Sequence, residues 1–177
     1  DRSSAASDVY KRQLEEDGHI ESQINQEYLE LNLSNPPSFT RVSSTAEALE
    51  LLDEDDSYDF ILTMYNVGEP DVFAFAHIVK ERHPRIPIAL LTSFSKDIYR
   101  RIEERDRSAL DYIFCWHGNT ELIIAIIKLI EDAMNAREDM LQGGVQAILL
   151  VEDSIRFYST YLPCLLYTSD AADERSS

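Results

Sequence analysis

The sequence predicts an α/β sandwich built around a parallel sheet. Two apolar runs, Phe60 to Met64 and Ile86 to Leu91, are continuous rather than alternating, as in strands covered on both faces. Amphipathic stretches of helical length lie between and after such runs, and no hairpin signal interrupts them. Strands alternating with helices require crossover connections, and hence a parallel sheet with helices on both sides.

The elements follow in order. Ile20, Ile24, Tyr28 and Leu31 fall at spacings of four, four and three, which predicts one face of a helix from Leu14 to about Leu33. Ser34-Asn35-Pro36-Pro37 stops it, and Phe39 to Val42 reads as a short strand. Ser44 with Glu47 three residues on forms a capping box for a helix whose apolar side is Ala48, Leu49, Leu51 and Leu52. An acidic turn, Asp53 to Asp59, leads into the strand at Phe60.

Gly68-Glu69-Pro70 precedes a helix with Val72, Phe75, Ala76 and Val79 on one face, ended by His83-Pro84. The Ile86 strand follows, then a weaker helix from about Lys96 to Glu104 and a short strand at Tyr112 to Cys115. Asn119 or Thr120 caps an isoleucine-rich helix, Glu121 to about Ala136, that has little polar face. Glu138 to Gly144 reads as a linker before a further apolar strand that ends in Glu152 and Asp153.

Composition excludes several classes of function. The 177 residues carry 16 basic and 33 acidic side chains, a formal charge of -17. Nucleic-acid binding needs a basic footprint, and an anionic membrane surface repels such a chain. No apolar run approaches the roughly 20 residues of a membrane span. Two cysteines without an apolar leader fit a reducing, cytoplasmic setting better than a disulfide framework.

The two ends are unusual. SSAASDVYKRQ at residues 3–13 and CLLYTSDAADE at 164–174 resemble translations of opposite strands of one sequencing-library adapter. Residues 1–13 and 164–177 are therefore set aside as adapter-derived tails. Leu14 to Pro163 keeps 12 basic and 28 acidic residues, a charge of -16, and one cysteine, Cys115.

Within that stretch TRVSSTAEALELL, YDFILT, RIPIALLTS and LDYIFCW, followed by an apolar helix, resemble the receiver domain of two-component response regulators over about Thr40 to Glu131. ILLVEDS resembles the opening strand of a second receiver. With the segment LEEDGHIESQINQEYLELNL, the arrangement is similar to the tandem-receiver region ahead of bacterial phosphoenolpyruvate synthase or pyruvate phosphate dikinase-like proteins. The resemblance implies a flavodoxin-like, doubly wound sheet of order 2-1-3-4-5 with its site at the carboxyl ends of the strands. It implies a pseudo-receiver at residues 14–137 lacking its first strand, a linker at 138–144 and the start of a second receiver at 145–163. Residues 147–151 are candidates for the vacant first-strand slot.

Receiver chemistry, as the resemblance implies it, moves a phosphoryl group from a histidine kinase to an aspartate after the third strand. An acidic pair holds Mg2+, a lysine follows the fifth strand, and a Thr or Ser follows the fourth. In this chain the aspartate position is Met64, five residues beyond Asp59, and no Asp or Glu occurs from Phe60 to Gly68. A thioether neither accepts a phosphoryl group as a carboxylate does nor suits a hard cation. The lysine position is Cys115 and the proline after it Trp116, while Thr92 keeps the hydroxyl.

The expectation is a phosphorylation-incompetent regulatory module, not an enzyme, with no cofactor in the first domain. Mg2+ is implied only for an intact second receiver, at Glu152 and Asp153. The implied partners are the second receiver, a histidine kinase or an attached enzyme domain. Trp116, Ile123 and Ile127 are the expected interaction surface. Two alternatives stand beside it: a phosphorelay carried by the second, truncated receiver, and a flavodoxin-like enzyme or nucleotide-binding domain. Against the latter, the five glycines, at 18, 68, 118, 143 and 144, form no GxGxxG or phosphate loop. A lone Cys115 reads more simply as a structural thiol than as a nucleophile, and a lone His117 makes no metal site.

Overall fold

The computed structural model describes residues 21–30, 36–65, 67–92, 96–116, 118, 120–142, 150–152 and 154–173. The chain divides into two compact units, residues 1–40 with 170–177 and residues 41–169. In the first, residues 21–30 form a helix, α1, in which Ile24 and Tyr28, four apart on one face, are buried.

The following elements are α2 (Thr45–Glu54), β1 (Ile61–Met64), α3 (Val72–Arg82), β2 (Ile88–Thr92), α4 (Lys96–Glu103), β3 (Tyr112–Cys115), α5 (Thr120–Gln142) and α6 (Ile155–Asp173). The three strands make one parallel sheet in the order β1-β2-β3, with Ile61 beside Ile88 and Thr92 beside Cys115. The architecture is α/β, with helices on both faces of the sheet.

Alternation along the central strand shows how the layers form. Ile88 packs with Leu52 of α2 and Phe75, Ala76 and Val79 of α3. Leu90 meets Val72, Phe73 and Ile102, the last at the end of α4. Ala89 and Leu91 point the other way, onto Leu122, Ala125 and Ile126 of α5 and Leu162 of α6. Every residue of β2 is buried, which explains its unbroken apolar run. Each fully buried Leu, Ile or Phe contributes about 1.5–3 kcal/mol, so this two-sided burial holds the sheet in place.

Local signals set the helix starts. Ser44 Oγ accepts the Glu47 N–H at 3.2 Å, while the Glu47 carboxylate reaches back to the Ser43 N–H at 2.8 Å. The capping box is therefore present with its return arm one residue earlier than expected. Asp71 caps α3, accepting from Phe73 and Ala74, and its other oxygen pairs with Arg105, whose guanidinium lies 5.0 Å above the Phe73 ring. A second tie closes the base of the sheet. Asp111 accepts the Ile88 N–H at 2.7 Å and pairs with Lys80 at 2.7 Å, and Lys80 also donates to the Ile86 carbonyl.

Several expectations are corrected. Phe39 to Val42 is not a strand; a parallel strand exists only through pairing, and no described strand lies on the outer side of β1 to receive it. The sheet therefore has three described strands rather than five. The linker expected at Glu138 to Gly144 is helical as far as Gln142, because Glu, Asp, Met, Leu and Gln all sustain a helix until Gly143-Gly144. Leu150 and Val151 are neither strand nor buried, at 44% and 83% exposure, so that end of the 147–151 run does not fill the first-strand slot. Ala147 to Leu149 lie outside the described residues.

Ile155 to Leu162, expected at the start of a second domain, packs on this sheet inside the 41–169 unit. The helix continues through Pro163 and into the residues read as tail. Among the described residues no helix is long and apolar enough to cross a membrane.

Candidate functional site

In a parallel α/β sheet the carboxyl ends of the strands are where side chains from several elements converge. Register brings the sequence-predicted positions together there: Thr92 stands beside Cys115, and Met64 beside Leu91. Met64, Thr92 and Cys115 thus end three adjacent strands. Met64 is 42% exposed, whereas Thr92 and Cys115 are buried.

The β1 end is tied to its surroundings through backbone groups. Thr63, also buried, directs its hydroxyl to the Met64 carbonyl at 3.3 Å. The first residue of α2, Thr45, donates its hydroxyl to the Pro70 carbonyl at 2.6 Å and so holds the loop after β1 against that helix. Gly68 in this loop has φ 97, a conformation that a side chain would strain.

At the β3 end, the Trp116 N–H donates to the Thr92 carbonyl at 2.9 Å, and its ring packs against the sheet–α5 core. The Cys115 N–H points away from β2 and donates to Ser159 Oγ of α6 at 2.8 Å. Ser159 in turn donates to the Ile155 carbonyl at 2.6 Å. Next to it Tyr158 stacks on Phe114, centroids 5.7 Å apart. Ser159 is the residue that sequence reading missed; a serine inside a helix gives no local sign that it will cap a strand 44 residues away.

The side chains that close the three strands carry no charge at neutral pH. Burial pushes the Cys115 thiol up, with the Arg156 charge acting against it, so at neutral pH it is protonated and a poor nucleophile. A thioether, a hydroxyl and a protonated thiol are uncharged, so the three strand ends supply neither a carboxylate nor an ammonium. Glu152 accepts the Ser154 N–H at 2.9 Å, and Asp153 and His117 lie outside the described residues. Among the described residues there is no cluster of three or more His, Cys, Asp or Glu able to hold a metal.

The expected interaction surface is corrected in part. Ile123 and Ile127 are buried, at 5% and 6% exposure, because α5 covers apolar side chains around most of its circumference. Trp116 is half-buried against the core. Comparison of the chain with family models gave no match, and comparison with curated proteins gave none either.

Proposed function

We propose that the chain is a regulatory module of the receiver type, flavodoxin-like in its winding, that acts by binding other proteins and does not accept a phosphoryl group. One observation carries the reading: the three adjacent strand ends hold Met64, Thr92 and Cys115, where the receiver pattern asks for a carboxylate, a hydroxyl and an ammonium. The hydroxyl alone is kept. Phosphoryl transfer runs on positioned charge, and this end of the sheet offers a thioether and a protonated thiol instead. The implied partners are the second receiver, a histidine kinase or an attached enzyme domain, in a cytoplasmic setting.

The test is incubation of the full chain with acetyl phosphate and Mg2+, followed by intact-mass measurement and hydroxylamine treatment. The expected result is unchanged mass. An acid-stable, hydroxylamine-sensitive adduct at stoichiometric level, mapped to residues 60–116, would overturn the proposal.

A further inference from the structure

The two helices that share one face of the sheet are held differently. In α5, Leu122 through Ile127 and Ile130 are all buried. In α6, Ser159 and Leu162 alone are buried among residues 155–165, while Phe157, Tyr161 and Leu165 are exposed. Leu162 enters the core beside α5, Tyr158 stacks on Phe114, and Ser159 accepts the Cys115 N–H. All three positions fall within one helical turn, residues 158–162.

Pro163 follows this turn directly. It has no N–H to give the Ser159 carbonyl, so the helix is weakened just beyond its seat. Elements with few buried apolar contacts open before the rest of a fold does, and α6 meets that condition where α5 does not. Successive strand residues point to opposite faces: Phe114 faces α5 and α6, whereas Ile113 faces the α3 and α4 layer. The Cys115 side chain shares the side of Ile113 and is turned from α6; its N–H is what α6 covers.

We propose that the first two turns of α6, residues 155–162, are a releasable strap that lifts from the sheet while β1 to β3, α3 and α5 stay folded. Closed, it hides the Cys115 N–H and one face of the Phe114 ring; open, it presents both to solvent. The strap is thus a conformational device that opens and closes the β3 edge. The inference goes beyond the receiver reading and rests on α6 and β3 alone. A phosphorylatable chain could still pass this test, and a chain that fails it could still be phosphorylation-incompetent.

The test is native-state hydrogen exchange of the full chain, read residue by residue across a urea series below the unfolding transition. The Cys115 amide should exchange at least about a hundredfold faster than the β2 amides, with a shallower urea dependence, since a local opening exposes little surface. Leu162→Ala, which loosens the seat, should speed it at least about tenfold. Val79→Ala, in the core under α2 and α3, should speed β2 exchange at least about tenfold and leave the Cys115 amide unchanged, because that core stays packed when the strap lifts. Ile88→Val, a smaller deletion in the same core, serves where Val79→Ala does not fold. A Cys115 amide that follows the β2 amides in rate, urea slope and response to Val79→Ala would overturn the proposal, because α6 then opens only with the whole sheet. So would a Cys115 amide that Leu162→Ala leaves unchanged, or one that exchanges like an unprotected amide without urea.

Discussion

Removing the hydroxyl of Ser159 isolates the bond by which α6 finishes the sheet. In Ser159→Ala the Cys115 N–H, buried with its residue, loses its acceptor. An orphaned buried amide costs about 1–3 kcal/mol. Against this, alanine is the better helix former by about 0.5 kcal/mol, and the hydroxyl bond back to the Ile155 carbonyl itself adds little to a helix. The net loss expected is about 0.5–2.5 kcal/mol. The neighbouring Thr160→Ala is the control: Thr160 makes the same type of bond, to the Arg156 carbonyl at 2.9 Å, from an exposed position. It should change stability by less than about 0.5 kcal/mol. Urea denaturation with a common slope measures both, and hydrogen exchange at the Cys115 amide locates the effect. If Ser159→Ala matches Thr160→Ala in stability and the Cys115 amide exchanges no faster, the edge-capping argument fails.

Other consequences follow from the same geometry. Asp111→Ala leaves both the Ile88 N–H and Lys80 without their carboxylate and should lower the unfolding free energy by about 1–3 kcal/mol in urea; Asp111→Asn should recover part of it. The Asp71 carboxyl is held below its ordinary value, foremost by the Ala74 N–H and also by Arg105. Its contribution is therefore present above the unfolded value of 3.8 and is lost as pH falls through the lower folded value. The acid limb of the stability curve below about pH 4 should flatten in Asp71→Asn. Cys115, buried with its thiol pushed up, should react with a thiol reagent at pH 8 only on unfolding, whereas the exposed Cys164 reacts in the native chain. Equal rates for the two thiols in native buffer would contradict the burial.

Much of the fold was legible because β2, α3 and α5 carry their environment in their own residues. Ile86 to Leu91 has no polar residue to place on water, so it had to lie between two layers, and it does. Val72, Phe75, Ala76 and Val79 share one helical face, and all four are buried. Phe39 to Val42 failed for the opposite reason. Strand propensity is realised only beside a partner, and the neighbour this segment would need is not among the described strands. α5 runs to Gln142, past the expected end at about Ala136 and into the expected linker Glu138 to Gly144. Nothing in it breaks a helix before the glycine pair.

The candidate site divides along the same line. The types of the side chains at the strand ends could be read in order from the sequence, since each closes an apolar run: Met64, Thr92 and Cys115. What they touch could not, because those contacts are long-range. The acceptor of the Cys115 N–H arrives from a helix beyond the read domain boundary, and Ile123 and Ile127 are buried where the sequence offered an exposed apolar stripe. A helix with apolar residues all around is a core helix by its own composition. That rule, applied strictly to Leu122 through Ile130, moves the interaction surface off the apolar side chains of α5. The β3 edge makes the same point: it is closed by the Ser159 hydroxyl of α6, a contact 44 residues away in sequence that no local pattern of either element foretells.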